Sequence, residues 1–127
     1  MTGKLYPVSY LITATPLNTT NQFANSPVKG LIRQITVSWP DGCKFLVEAL
    51  FRRGKTQFYP APSLGPDLPQ GIALNDHTLT TAMNYPLNET DMLELSIINH
   101  DSTNPHTISA VVLVEAEETP TEKPKED

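Results

Sequence analysis

The stretch that decides the fold is KGLIRQITVSW-PDG-CKFLVEALF, running from Lys29 to Phe51. Before the break, Leu31, Arg33, Ile35, Val37 and Trp39 fall on one side of an extended chain and Ile32, Gln34, Thr36 and Ser38 on the other, because strand side chains alternate. After it, Phe45, Val47, Ala49 and Phe51 oppose Leu46, Glu48, Leu50 and Arg52. A period of two on both sides predicts two strands. Between them Pro40 fixes its own φ, Asp41 bonds backbone readily and Gly42 accepts a positive φ, so one tight turn is expected to join the two arms.

Working outward, the same alternation appears on both flanks. Tyr6, Val8, Tyr10 and Ile12 alternate with Pro7, Ser9, Leu11 and Thr13. Pro7 lacks a ladder donor, which places this strand at a sheet edge or in an arm that reaches a neighbour. Residues 16–28 read as a polar connection whose only large anchor is Phe23. On the other flank KTQFYP (55–60) is a short strand halted by proline, and residues 61–70 form a proline-rich crossing loop expected to be ordered. Ile72 to Met83 suits a strand of mixed exposure, and Asn84 to Asn88 a turn around Pro86. Two strands close the pattern, Thr90 to Asn99 and His106 to Glu115, expected to be antiparallel neighbours across His100 to Pro105.

Seven or eight strands with no helix-length amphipathic window predict an all-β chain, an antiparallel two-sheet β-sandwich. Jelly-roll topology is favoured over the immunoglobulin type, because the Cys, Trp, Cys spacing is missing and the connections before Lys29 and after Pro60 are long. The domain reading is a strand or arm with its connection at 1–28, a sandwich body at 29–115 and an acidic tail at 116–127 that should stay mobile.

Charge narrows the partners. Net charge is -5, and the thirteen residues from Glu115 onward hold six acids and two lysines, so the body is close to neutral. Phosphate neutralisation needs clustered cations, which argues against nucleic acid; Arg52, Arg53 and Lys55 are the one exception and read as a solvated hairpin end. No run approaches the roughly 18 apolar residues of a membrane helix, and the first residues lack a basic, then apolar, then small-residue signal pattern. The expectation is no membrane partner and a cytoplasmic or virion location. Cys43 is the only cysteine, so it forms no internal disulfide, and it reads as a buried small hydrophobe.

Chemical constellations are sparse. His100, Asp101 and His106 are the metal candidates, since imidazole and carboxylate suit zinc or iron. Neither H-x-H nor HExxH accompanies them, and both histidines flank a loop where such residues commonly satisfy backbone. Glu48 and Glu94 are the acids set within strands, where a glycosidase would need a facing pair, and Arg33 or Arg52 offers them salt bridges instead. No G-x-S-x-G or phosphate-cradling loop is present. No catalytic residue and no cofactor is therefore assigned, and the chain is not expected to be an enzyme. Trp39, Phe58, Tyr59 and Tyr85 lie at strand ends or turns and could form a flat sugar-stacking platform; against this, Trp39 could plug the core and Tyr59 pack on Pro60 and Pro62. With Tyr6, Tyr10 and Phe23 they make up the candidate interaction residues.

The layout Gly30-Leu-Ile-x-x-Ile-x-Val-x-Trp-Pro-x-Gly-Cys43, followed by Tyr59-Pro60, Asn99-x-Asp101 and His106, resembles the small jelly-roll accessory or decoration proteins of phage and virus particles over Gly30 to Glu115. The resemblance implies a homo-oligomer, a trimer being favoured, seated on a larger protein scaffold such as a capsid through loops at one end and an N-terminal arm. It transfers no functional residue. The sequence therefore favours a non-enzymatic structural or assembly protein. The alternatives are a carbohydrate-binding module that uses the loop aromatics and, more weakly, a metal-dependent cupin-like enzyme.

Overall fold

The computed structural model describes residues 4–62 and 69–117. Within them the chain is all-β and forms two antiparallel sheets packed as a sandwich. The first sheet orders its strands β1 (Leu5–Ala14), β9 (His106–Ala116), β3 (Gly30–Trp39) and β7 (His77–Leu87). The second orders β2 (Thr19–Asn25), β8 (Met92–Asn99), β4 (Val47–Arg53) and β5 (Thr56–Tyr59), and the short β6 (Ile72–Ala73) also pairs with β4. The chain changes sheet at β1 to β2, β2 to β3, β3 to β4, β6 to β7, β7 to β8 and β8 to β9.

Greasy alternation builds the core as expected in three strands. Val8, Tyr10 and Ile12 of β1, Leu93, Leu95 and Ile97 of β8, and Ile108, Ala110, Val112 and Val114 of β9 all point inward and are buried. Each fully buried side chain of this size contributes about 1.5–3 kcal/mol relative to water. The polar tips in the core are satisfied: the Trp39 indole N–H donates to the Val47 carbonyl at 2.9 Å, and the Tyr10 hydroxyl donates to the Leu93 carbonyl at 3.1 Å. Cys43 is a buried hydrophobe, as read from sequence, and burial pushes its thiol pKa up.

Several local expectations are corrected. The arms of the deciding stretch are not a hairpin, since β3 lies in one sheet and β4 in the other. Two successive turns replace the single one: Gly42 sits at φ 102°, and Cys43 to Leu46 closes a second turn with the Leu46 N–H on the Cys43 carbonyl at 2.9 Å. Strand β4 therefore begins at Val47, and Phe45 is left outside the core. The face assignment in β3 also changes part-way. The register shifts between Ile32 and Gln34 against both neighbours, so Ile32 shares the inward face with Ile35, Val37 and Trp39, while Leu31 and Arg33 do not. A bulge resets the alternation.

Residues 16–28 are not merely a connection, because β2 occupies Thr19–Asn25 at the edge of the second sheet. Its inward positions Thr20, Gln22 and Ala24 are small or polar, which hid the period. Strand β7 runs on through Asn84–Leu87, where a turn was expected; as an edge strand it tolerates Pro86. The last two strands are not neighbours either, since β8 and β9 lie in different sheets. Strand β1 is no free arm: it pairs with β9 of its own chain from Leu5 through Ala14. The Gln22 side chain accepts the outward Leu11 N–H at 3.0 Å, and Pro7 has no donor, so this edge is blunted. The expected mobility of 118–127 and the order of 63–68 concern residues outside those described.

Candidate interaction surfaces

The metal candidates are held apart by separate carboxylates. His106 is nearly buried, and its Nε2 lies 2.8 Å from Asp101 Oδ2. Asp101 Oδ1 accepts the Thr103 and Asn104 N–H groups at 2.9 and 3.2 Å. The His106 hydrogen bond first, then the Thr103 N–H, holds the Asp101 carboxyl down from 3.8 to about 2. His100 instead pairs with Glu48. Among the described residues no three His, Cys, Asp or Glu side chains gather around one point. The arrangement stitches the loop between β8 and β9, with Asn99 donating to the carbonyls of Ala14 and Asn104 at 3.0 Å each.

Glu48 and Glu94 do not face each other across a cleft. Arg52 is the cross-strand partner of Glu94, so Glu48 lies four positions further along β4, roughly 13 Å away at strand spacing and beyond the roughly 5–9.5 Å of glycosidase pairs. Glu94 engages Arg52 at 3.7 Å, the salt bridge anticipated from sequence.

The seven aromatic candidates do not form one platform. Trp39 and Tyr10 are core residues. Phe58 and Tyr85 stack on each other at 4.2 Å, with the Arg53 guanidinium 5.3 Å from the Tyr85 ring centre. The Tyr59 hydroxyl bonds the Thr81 hydroxyl, and its ring lies 6.3 Å from Phe51. These three close the side of the sandwich between β5 and β7. Tyr6 is half-buried on β1, while Phe23 is exposed on β2.

The outer faces of the two sheets differ. On the first, cross-strand hydroxyls bond each other: Thr13 with Thr107 at 2.8 Å, Thr36 with Thr80 at 3.2 Å, and Ser38 with Thr78 at 2.9 Å. Leu5 and Leu11 stand exposed among them. On the second, Leu50 and Ser96 are buried although they point away from the core. The chain after β5 returns here, and Glu48 accepts the Gln70 and Gly71 N–H groups at 2.8 and 2.7 Å. Gly71 runs so close that a Cβ would fall 2.5 Å from the Ala49 carbonyl oxygen.

Register divides the molecule into two ends. One holds the Lys4 and Glu117 ends of the described chain and the turns at 26–29, 54–55 and 88–91; the other holds the turns at 15–18, 40–46, 74–76 and 100–105. The second end carries three exposed apolar residues: Leu17, expected within a polar connection, and Phe45 and Leu46, expected at the start of a strand. Pro16-Leu17-Asn18 was a usable signal, since a bulky side chain follows proline where a turn asks for glycine or asparagine.

No family model matches the chain, and no curated protein does. Among solved structures it is similar in fold to a chain of the cyanophage Pam1 capsid asymmetric unit, with a TM-score of 0.57, 14% identity, and 91% of this chain and 87% of that one covered. A crystal structure of FLHE aligns with a TM-score of 0.49 and 8% identity, covering 90% of this chain and 98% of that one. The likeness to the capsid chain is one of fold. No helix among the described residues is long and apolar enough to cross a membrane.

Proposed function

We propose that this protein is a non-enzymatic structural protein that works by contact, as a decoration or accessory component of a virus capsid. The observation that carries the reading is the likeness in fold to the cyanophage capsid chain over most of both chains. We read the strand order, β1-β9-β3-β7 against β2-β8-β4-β5, as a jelly roll, because the chain passes back and forth between the sheets as two interleaved Greek keys do. The use of the titratable side chains supports contact over chemistry. Glu48, Asp101, His100 and His106 each hold a loop in place.

A symmetric oligomer on a protein shell is part of the proposal, with virus particles as its location. Mass spectrometry of purified particles from the source virus tests it. The chain is expected at a copy number in fixed ratio to the main shell protein, and its absence from particles overturns the reading.

A further inference from the structure

Two turns at the end opposite Lys4 and Glu117 break turn chemistry in the same way. In Thr15 to Asn18, closed by the Asn18 N–H on the Thr15 carbonyl at 3.2 Å, Pro16 takes the second place and Leu17 the third, at φ 61°. That third place in a type II turn takes glycine or asparagine, because an L side chain at positive φ crowds its own carbonyl. In Cys43 to Leu46, Lys44 and Phe45 sit at φ 50° and 63°, the φ pattern of a type I′ turn ordinarily built from asparagine and glycine. Yet Leu17 is 67% and Phe45 66% exposed. The fold thus holds two bulky apolar side chains in water on backbone that resists them, and packing within the chain gives no reason for it. Strain of this kind collects at working surfaces.

The two turns meet on one support. The Leu17 N–H donates to the Asp101 carbonyl at 3.1 Å, and the His100 N–H donates to the Leu46 carbonyl at 2.8 Å, so consecutive residues clip both turns side by side. Around them lie the carboxylates of Asp41, Asp76 and Asp101, with Glu48 behind His100; Lys44 is the only lysine or arginine at this end among the described residues.

We propose that this end is a docking surface for a protein whose contact patch is apolar and rimmed by lysine or arginine, entered by Leu17, Phe45 and Leu46. Charge selects the occupant: a basic rim complements the carboxylates, whereas a second copy presented end to end brings the same sign. The inference rests on the contact reading above and adds the surface and the partner's chemistry.

Leu17→Gly and Phe45→Gly test it, because glycine suits both backbones and removes the apolar group. Each variant should keep the fold and raise Tm on the order of 3–6 °C. Binding is measured to empty shells assembled from the major capsid protein of the source virus, and to agarose bearing phenylpropylamine groups, which is apolar and cationic. Docking through this end predicts that each variant loses shell binding about tenfold or more and leaves the agarose at lower salt. Phe23→Gly, on the outer face of the second sheet, should leave both unchanged.

Wild type that binds shells equally with both variants overturns the docking surface and leaves the capsid reading standing. Wild type that ignores shells overturns the capsid reading; the agarose then decides the surface, and unchanged retention of both variants overturns it. Light scattering that shows the variants dissolving an oligomer of the wild type makes the occupant a second copy, which also overturns the proposal.

Discussion

The two outer faces of the sandwich are kept in order by opposite means. The face of β1, β9, β3 and β7 is left open, its hydroxyls bonded to one another in cross-strand pairs, with charge confined to Arg33 and Glu115, 3.2 Å apart toward one end. On the face of β2, β8, β4 and β5 the outward residues of β2 stay exposed, Phe23 among them, whereas Leu50 and Ser96 are buried as deeply as core residues, near where Glu48 holds the backbone at 70 and 71 and the Arg52 guanidinium bonds the Ser96 hydroxyl at 2.7 Å. An outward side chain is therefore not always an exposed one, and the difference lies in Glu48. Its carboxylate fixes the backbone at residues 70 and 71.

The largest effect should come from Leu50→Ala. If Leu50 is buried as a core residue is, chemical denaturation should show a loss of about 2–5 kcal/mol, and a loss below about 1 kcal/mol would mean that the second face is as open there as the first. Glu48→Ala comes next, at about 1–3 kcal/mol, because it strands two backbone donors. Hydrogen exchange should then quicken at Gln70 and Gly71 and not along β7; protection that stays intact would remove Glu48 as the anchor.

Acid sensitivity should map to neither face. The Asp101 carboxyl is held below its ordinary 3.8, at about 2, so its share of stability is complete above about pH 4 and is lost as pH falls through about 2. Asp101→Asn should flatten the stability profile in that window, and a slope that survives the substitution would place it on another carboxylate. The smallest effect belongs to the open face. Thr80→Val should shift stability by no more than about 0.5 kcal/mol, and a larger loss would show that the hydroxyl pairs hold the sheet together.

The sequence revealed this architecture unevenly, for physical reasons. Alternation marked β1, β8 and β9 because each packs one whole apolar side on the opposite sheet. It failed in β2, whose inward Thr20, Gln22 and Ala24 lie at an edge where the core is thin. In β3 the alternation was real but reset at the bulge, which no residue type announces. Turn residues after Trp39 marked a reversal but could not say whether the chain returns beside itself or crosses to the other layer, since both begin with the same proline and glycine chemistry. The docking residues were the least legible. Phe45 looked like the first residue of a strand, and only its backbone, turned to positive φ, sets it apart.

The Lys4 carbonyl accepts the Ala116 N–H at 2.8 Å, and Leu5 pairs with Glu115. A fluorescent fusion attached near Lys4 or Glu117 would thus hang from one side of the molecule, about ten residues of strand, or ~33 Å, from Leu17 and Phe45. A short linker between those two residues, with new ends opened at Gly54 and Lys55, would give a circular permutant whose cargo also points away from whatever the protein grips.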